Sequence, residues 1–113
     1  MKKIALKKDE QIKILVKYTS QEKLFKFRWT LYKNNGLVIL KSYNHFVSQN
    51  ILYTRHANAS MRVELKPRGA DFYNVPYLLI KFKKFDFIQN KAIFEFYLSD
   101  DRGQIKLKYL KKS

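Results

Sequence analysis

Apolar and polar residues alternate with a period of two along most of this chain, and helical periodicity is nearly absent. Such a pattern fits half-buried strands and little else, because successive strand side chains point to opposite faces. Ile12, Ile14, Val16 and Tyr18 alternate with Lys13, Leu15 and Lys17. Phe25, Phe27, Trp29 and Leu31 then fall on one side, with Lys26, Arg28, Thr30 and Tyr32 on the other. Asn34-Asn35-Gly36 follows, a turn signal because Asn and Gly tolerate positive φ, and Leu37 to Tyr43 reads as the returning strand.

The second half continues in kind. A strand is expected over 51–56, and another where Met61, Val63 and Leu65 alternate with Arg62, Glu64 and Lys66 until Pro67 ends it. Residues 67–76, bracketed by the two prolines, form a loop carrying Arg68, Asp71, Phe72 and Tyr73. Leu78, Ile80 and Phe82 oppose Leu79, Lys81 and Lys83; after a turn at 89–91, Phe94 and Phe96 oppose Ile93, Glu95 and Tyr97. Ser99 to Gly103 is a further turn, and Ile105, Leu107 and Tyr109 close the series opposite Lys106 and Lys108. The one helical candidate, Ser20 to Lys23, reads better as a turn. About seven to eight strands at spacings of roughly 8–12 residues predict an all-β domain, an antiparallel sandwich or a related barrel.

A chain of 113 residues fits one domain spanning 1–113. Its hydrophobic content of 46%, with 16% aromatics, exceeds that of a disordered chain. Zero cysteines remove disulfides, thiolate metal sites and a cysteine nucleophile at once, and fit a reducing, cytoplasmic setting. No stretch approaches the roughly 18 apolar residues of a membrane-spanning helix. The first residues begin like a signal peptide, but charge returns at Lys7 before an apolar segment forms.

Enzyme signatures are missing or incomplete. There is no glycine-rich phosphate loop, no His-x-x-x-His and no Gly-x-Ser-x-Gly. Glu64-Leu65-Lys66 matches the Glu-x-Lys of metal-dependent nucleases, yet no acid lies between Glu22 and Glu64 to share the metal. Asp100 and Asp101 before Arg102-Gly103 read as turn chemistry. His45, His56 and Arg55 could in principle serve as acid, base and phosphate clamp, but the expectation is solvated loop residues. The chain is expected to act without catalysis and without a cofactor.

Phe25 to Gly36, followed by Ser42-Tyr43-Asn44, resembles the aromatic-x-aromatic, Leu-Tyr-Lys-x-Gly and Tyr pattern of bacterial immunoglobulin-like modules of the triple-tyrosine type. Those modules continue with Gly-x-Tyr-x-Val, where this chain has Ala59-Ser60-Met61-Arg62-Val63. The resemblance covers the first hairpin, implies an immunoglobulin-like sandwich with an accessory, non-catalytic role, and transfers no functional residue.

The strongest functional feature is charge. Lys and Arg number 24 against 9 Asp and Glu, a net +15. Lysine outnumbers arginine 19 to 5, which an AT-rich genome alone can write, so a protein-interaction or structural module with merely compositional charge is the competing expectation. Against it stands the interleaving of cations with strand alternation. Lys26, Arg28 and Tyr32 share one face, as do Arg62 with Lys66, Lys81 with Lys83, and Lys106 with Lys108; Arg68 lies in the loop. With the apolar faces inward, these residues form a basic outer surface suited to a polyanion: nucleic acid (DNA or RNA) ahead of anionic glycan or an acidic protein. Tyr32, Tyr73, Tyr77 and Tyr97 are the aromatics left to face a ligand, while Trp29 is expected in the core with Phe25 and Phe27.

Overall fold

A computed structural model describes residues 1–54, 59–66 and 75–112. Nine strands are found among them: β1 (Lys2–Lys7), β2 (Ile12–Tyr18), β3 (Gln21–Lys33), β4 (Gly36–Tyr43), β5 (Phe46–Tyr53), β6 (Ser60–Glu64), β7 (Tyr77–Asp86), β8 (Lys91–Ser99) and β9 (Lys106–Tyr109). They form two antiparallel sheets, one ordered β1-β8-β7-β6 and the other β5-β4-β3-β2-β9. The all-β expectation therefore holds, with three differences in detail, one being that Gln21–Lys23, expected in a turn, already belong to β3 and pair with β2. β1 was no part of it, because Ile4 and Leu6 are too few apolar positions to stand out among Lys2, Lys3 and Lys7. The strand expected at 51–56 begins instead at Phe46, right after a two-residue turn.

Turn chemistry fixes that hairpin and its neighbour. Asn34 and Asn35 between β3 and β4, and Asn44 and His45 between β4 and β5, all have φ between 51° and 71°. Two consecutive positive φ values give the turn whose twist matches paired strands. Gly36 is needed for space instead: a Cβ there would lie 2.9 Å from Tyr53 Cε1.

The core lies where the inner faces meet. Phe27 of β3 packs edge-on against Phe94 and Phe96 of β8, with ring centroids 5.0 and 5.3 Å apart. Ile14, Val16, Leu37 and Ile39 from one sheet and Leu6, Leu78 and Ile80 from the other are fully buried around them. Trp29 is 4% exposed, and its indole Nε1 donates a 2.7 Å hydrogen bond to the Leu6 carbonyl oxygen, tying β3 to β1 across the core.

Tyr43 makes a second tie, its hydroxyl donating to the Leu65 carbonyl oxygen at 2.6 Å. Burial, reinforced by the neighbouring Tyr18, pushes that hydroxyl far above its ordinary value of 10.0. The fold thus favours the neutral phenol. This stabilisation is complete below pH 10 and is lost as pH rises toward the folded value, because the unfolded chain gives up its proton first. Tyr43→Phe is expected to be about 1 kcal/mol less stable at neutral pH. It should also lose less stability than the wild type between about pH 9 and 11, read by thermal melts. Equal alkaline losses in the two proteins would contradict the assignment.

Two irregularities interrupt the alternation, and both lie toward one end of the sandwich. The β3–β4 register shifts between Trp29 and Leu31, and the β7–β8 register shifts between Phe82 and Lys84. Each is a bulge that inserts one residue and exchanges the faces beyond it.

Candidate polyanion-binding face and an aromatic cleft

The sheet registers decide which cations share a surface. On the outer face of the five-stranded sheet, Lys26 lies directly opposite Lys13, Lys17 opposite both Glu22 and Lys106, and Leu15 opposite Lys108. Arg28 follows two residues after Lys26 on the same face. Six cations (Lys13, Lys17, Lys26, Arg28, Lys106, Lys108) thus share this face with a single carboxylate at its described strand positions, Glu22, which pairs with Lys17 at 3.3 Å. Among the described residues, no ion pair engages Lys13, Lys26, Arg28 or Lys108. The Arg28 Nε is shielded from solvent and has no hydrogen-bond acceptor there. It borders a shallow hollow of about 100 Å³ between Lys26, Leu40, Ser42 and Val47. Leaving such a donor unpaired costs about 1–3 kcal/mol, and more for a charged group.

The four-stranded sheet differs although its outer face is also rich in Lys and Arg. Its register sets Glu95 between Lys3 and Lys81, and Asp86 beside Lys91. Lys83 pairs with Glu95 at 3.7 Å. Arg62 lies 3.8 Å above the Tyr77 ring and Lys81 5.7 Å above that of Tyr97. Tyr97 donates to Glu95 Oε1 at 2.8 Å, the main reason its hydroxyl is pushed up. Arg62, Lys81 and Lys83 are thus each engaged by a carboxylate or a ring of their own sheet.

The residues expected to make one basic surface therefore divide. Lys26, Arg28, Lys106 and Lys108 come together, and Lys13 belongs with them although sequence reasoning left it out; its place in the β2 alternation was the available signal. Arg62, Lys81 and Lys83 lie on the opposite side of the sandwich. Lys66 does not share the Arg62 face, because β6 ends at Glu64 and Lys66 donates instead to Gln104 Oε1 at 2.6 Å. Arg68 lies outside the described residues, as do Arg55, His56 and Tyr73. His45 is exposed in its turn, and Asp100 accepts from the Ile105 amide at 2.7 Å, as a turn carboxylate does. No group of His, Cys, Asp and Glu suited to a metal ion occurs among the described residues.

Tyr32 is the clearest correction. Strict alternation puts it outward with Lys26 and Arg28. The bulge after Trp29 turns it inward and leaves Leu31 exposed. The β7 bulge does the same to Phe85, and the two rings stack at 4.3 Å with an interplanar angle of 5°. Trp29 meets Phe85 edge-on at 5.5 Å, and Phe87 leans over Phe85 at 5.0 Å. These rings line a cleft of about 550 Å³ whose rim includes Lys7, Lys8, Leu31, Gln89 and Asn90. Asp86 Oδ1 accepts from the Ile88 and Gln89 amides at 3.0 and 3.1 Å, shaping the hairpin tip on which Phe87 and Ile88 are 72% and 97% exposed.

The cleft and the basic face are neighbours along one strand. Leu31 lines the cleft three residues past Arg28, a rise of about 10 Å. The arrangement offers cations for a phosphate or sulfate backbone beside π faces for one planar ring. No family model matches this chain, and neither a curated protein nor a solved structure matches it.

Proposed function

We propose that the protein is a non-enzymatic binding module that holds a polyanion, nucleic acid ahead of anionic glycan, along the outer face of its five-stranded sheet. The observation that carries this reading is the set of cations Lys13, Lys26, Arg28 and Lys108, aligned across neighbouring strands with no carboxylate of the described residues engaging them. Placing Lys13 directly opposite Lys26 is unfavourable in itself, and a backbone of negative charge relieves it. At its described positions the face carries leucines and no exposed ring between its cations, so contact there is to phosphates and indifferent to base sequence. The cleft three residues on adds a place where one unpaired base stacks on Tyr32, Phe85 or Phe87 beside Lys7 and Lys8. That favours a single strand over a duplex.

The likeness of residues 25–44 to triple-tyrosine immunoglobulin-like modules implies the same accessory role. Strands β2 to β5 and β6 to β8 pair in chain order, unlike the immunoglobulin arrangement, so the reading draws on the sandwich and not on that strand order.

Fluorescence polarisation with labelled single-stranded DNA and RNA, duplex DNA and a sulfated glycan at low salt tests the proposal. Single strands should bind most tightly and shift the emission of Trp29, the chain's one tryptophan, which borders the cleft. Absence of binding to every polyanion would overturn the reading. It would favour the protein-interaction module with compositional charge.

A further inference from the structure

We propose that two copies of this protein pair edge to edge through β5, antiparallel and about a two-fold axis at Gln49, to make one continuous ten-stranded sheet. Among the described residues, strand β5 (Phe46–Tyr53) ends the five-stranded sheet and has β4 as its one strand neighbour. Edge strands are normally guarded by charge, bulges or shortness. The other three edges are guarded: β1 carries Lys2, Lys3 and Lys7; β6 has five residues with Arg62 and Glu64; β9 has four with Lys106 and Lys108. β5 runs eight residues in unbroken register with β4 and carries no charged side chain, alone among the nine strands described. It exposes Phe46 at 80%, Val47 at 68% and Ile51 at 50%.

Of the four sheet edges, β5 is the one at which two copies pair with the least charge repulsion. At +15, copies repel one another, and pairing through β9 or β1 would set lysine against lysine. Pairing through β5 leaves about five strand spacings, roughly 24 Å, between the two Lys26 positions. That is well beyond the screening length of about 8 Å at physiological salt.

Symmetry then selects a register. A two-fold axis perpendicular to the sheet pairs residues of the same face, so the centre falls on a residue and not between two. Centred on Gln49, Val47 faces Ile51 of the second copy and Phe46 faces Leu52, apolar against apolar on both sides of the sheet. The same register brings Ser48 opposite Asn50 of the second copy, polar against polar on the inner side of the sheet. Centring on Asn50 would instead face Val47 with Tyr53 and Ile51 with Gln49, mixing apolar with polar. The chosen pairing is closed, because both free ends of the ten-stranded sheet are then the lysine-guarded β9. It also turns both basic faces to the same side.

Sedimentation velocity on the full chain, from about 1 μM to 1 mM, should show monomer passing to dimer and stopping there. Val47→Lys with Ile51→Lys, both on the outer face, should weaken dimerisation at least about 100-fold, with the melting temperature unchanged at concentrations low enough for the wild type to be monomeric. Because the chain has no cysteine, Gln49→Cys should cross-link as a dimer under mild oxidation and Lys108→Cys on β9 should not. This arm decides the matter even if the double variant misfolds. A wild type that stays monomeric to 1 mM, leaving β5 to an extended segment of some other protein, overturns the proposal. So does a dimer indifferent to the double variant, or growth beyond the dimer.

Discussion

Trp29→Ala is expected to cost about 3–5 kcal/mol from lost packing alone. The indole is 4% exposed, meets Phe85 edge-on, and spans the two sheets through its bond to Leu6. Removing it opens a cavity at the end of the core and strands the Leu6 carbonyl, adding about 1–3 kcal/mol. The sum approaches the whole stability of a small domain, about 5–15 kcal/mol. Trp29→Phe keeps most of the buried area and loses the hydrogen bond, so about 1–2 kcal/mol is expected. Thermal melts by circular dichroism, at roughly 4 °C per kcal/mol, separate the two variants readily. A Trp29→Ala protein melting within a few degrees of the wild type would mean that this side chain does not join the sheets.

That residue also marks where the sequence stops being readable. Up to Trp29 the alternation of β2 and β3 is regular, and the inward set Ile12, Ile14, Val16, Phe25, Phe27 and Trp29 follows from it directly. The Asn-Asn turn is just as clear. One residue later the register slips, and no feature of Thr30 announces it. Bulges answer to what the partner strand and the opposite sheet require, here a place for Tyr32 and Phe85 to stack. A shift of one residue exchanges the two faces, so extrapolated alternation placed Tyr32 on the wrong side. The aromatic cleft, built from both re-phased rings, could not be read from the pattern of either strand alone.

The division of the basic residues escaped sequence for a different reason. Alternation tells which residues of a strand share a face, and it did so for Lys26 with Arg28 and for Lys106 with Lys108. It does not tell which strands are neighbours or where their registers fall. Glu95 pairs with Lys83 and lies opposite Lys81 because β8 is the neighbour of β7; Lys13 and Lys26 face each other because β2 and β3 pair with Phe27 opposite Ile12. Both are facts of pairing.

Those pairings give the second large expectation. The double variant Lys26→Glu, Arg28→Glu should abolish most nucleic-acid binding at physiological salt without unfolding the domain. Both side chains point outward, and Lys26→Glu replaces a like-charge contact with Lys13 by an attractive one, worth about 0.2–1 kcal/mol. The matched variant Lys81→Glu, Lys83→Glu changes the net charge equally on the opposite sheet. A purely global electrostatic attraction would make the two variants equivalent; a binding face makes them differ.

The salt dependence of binding to a short single strand, compared across the wild type and these two variants, tests the account most directly. Neutralising about 4–6 phosphates predicts a wild-type slope of log K against log salt of roughly −3 to −5. Lys26→Glu with Arg28→Glu should make it shallower by about 2, while Lys81→Glu with Lys83→Glu leaves it unchanged. Equal slopes for the two variants, or a larger change from the Lys81 and Lys83 pair, would contradict a binding face on the five-stranded sheet.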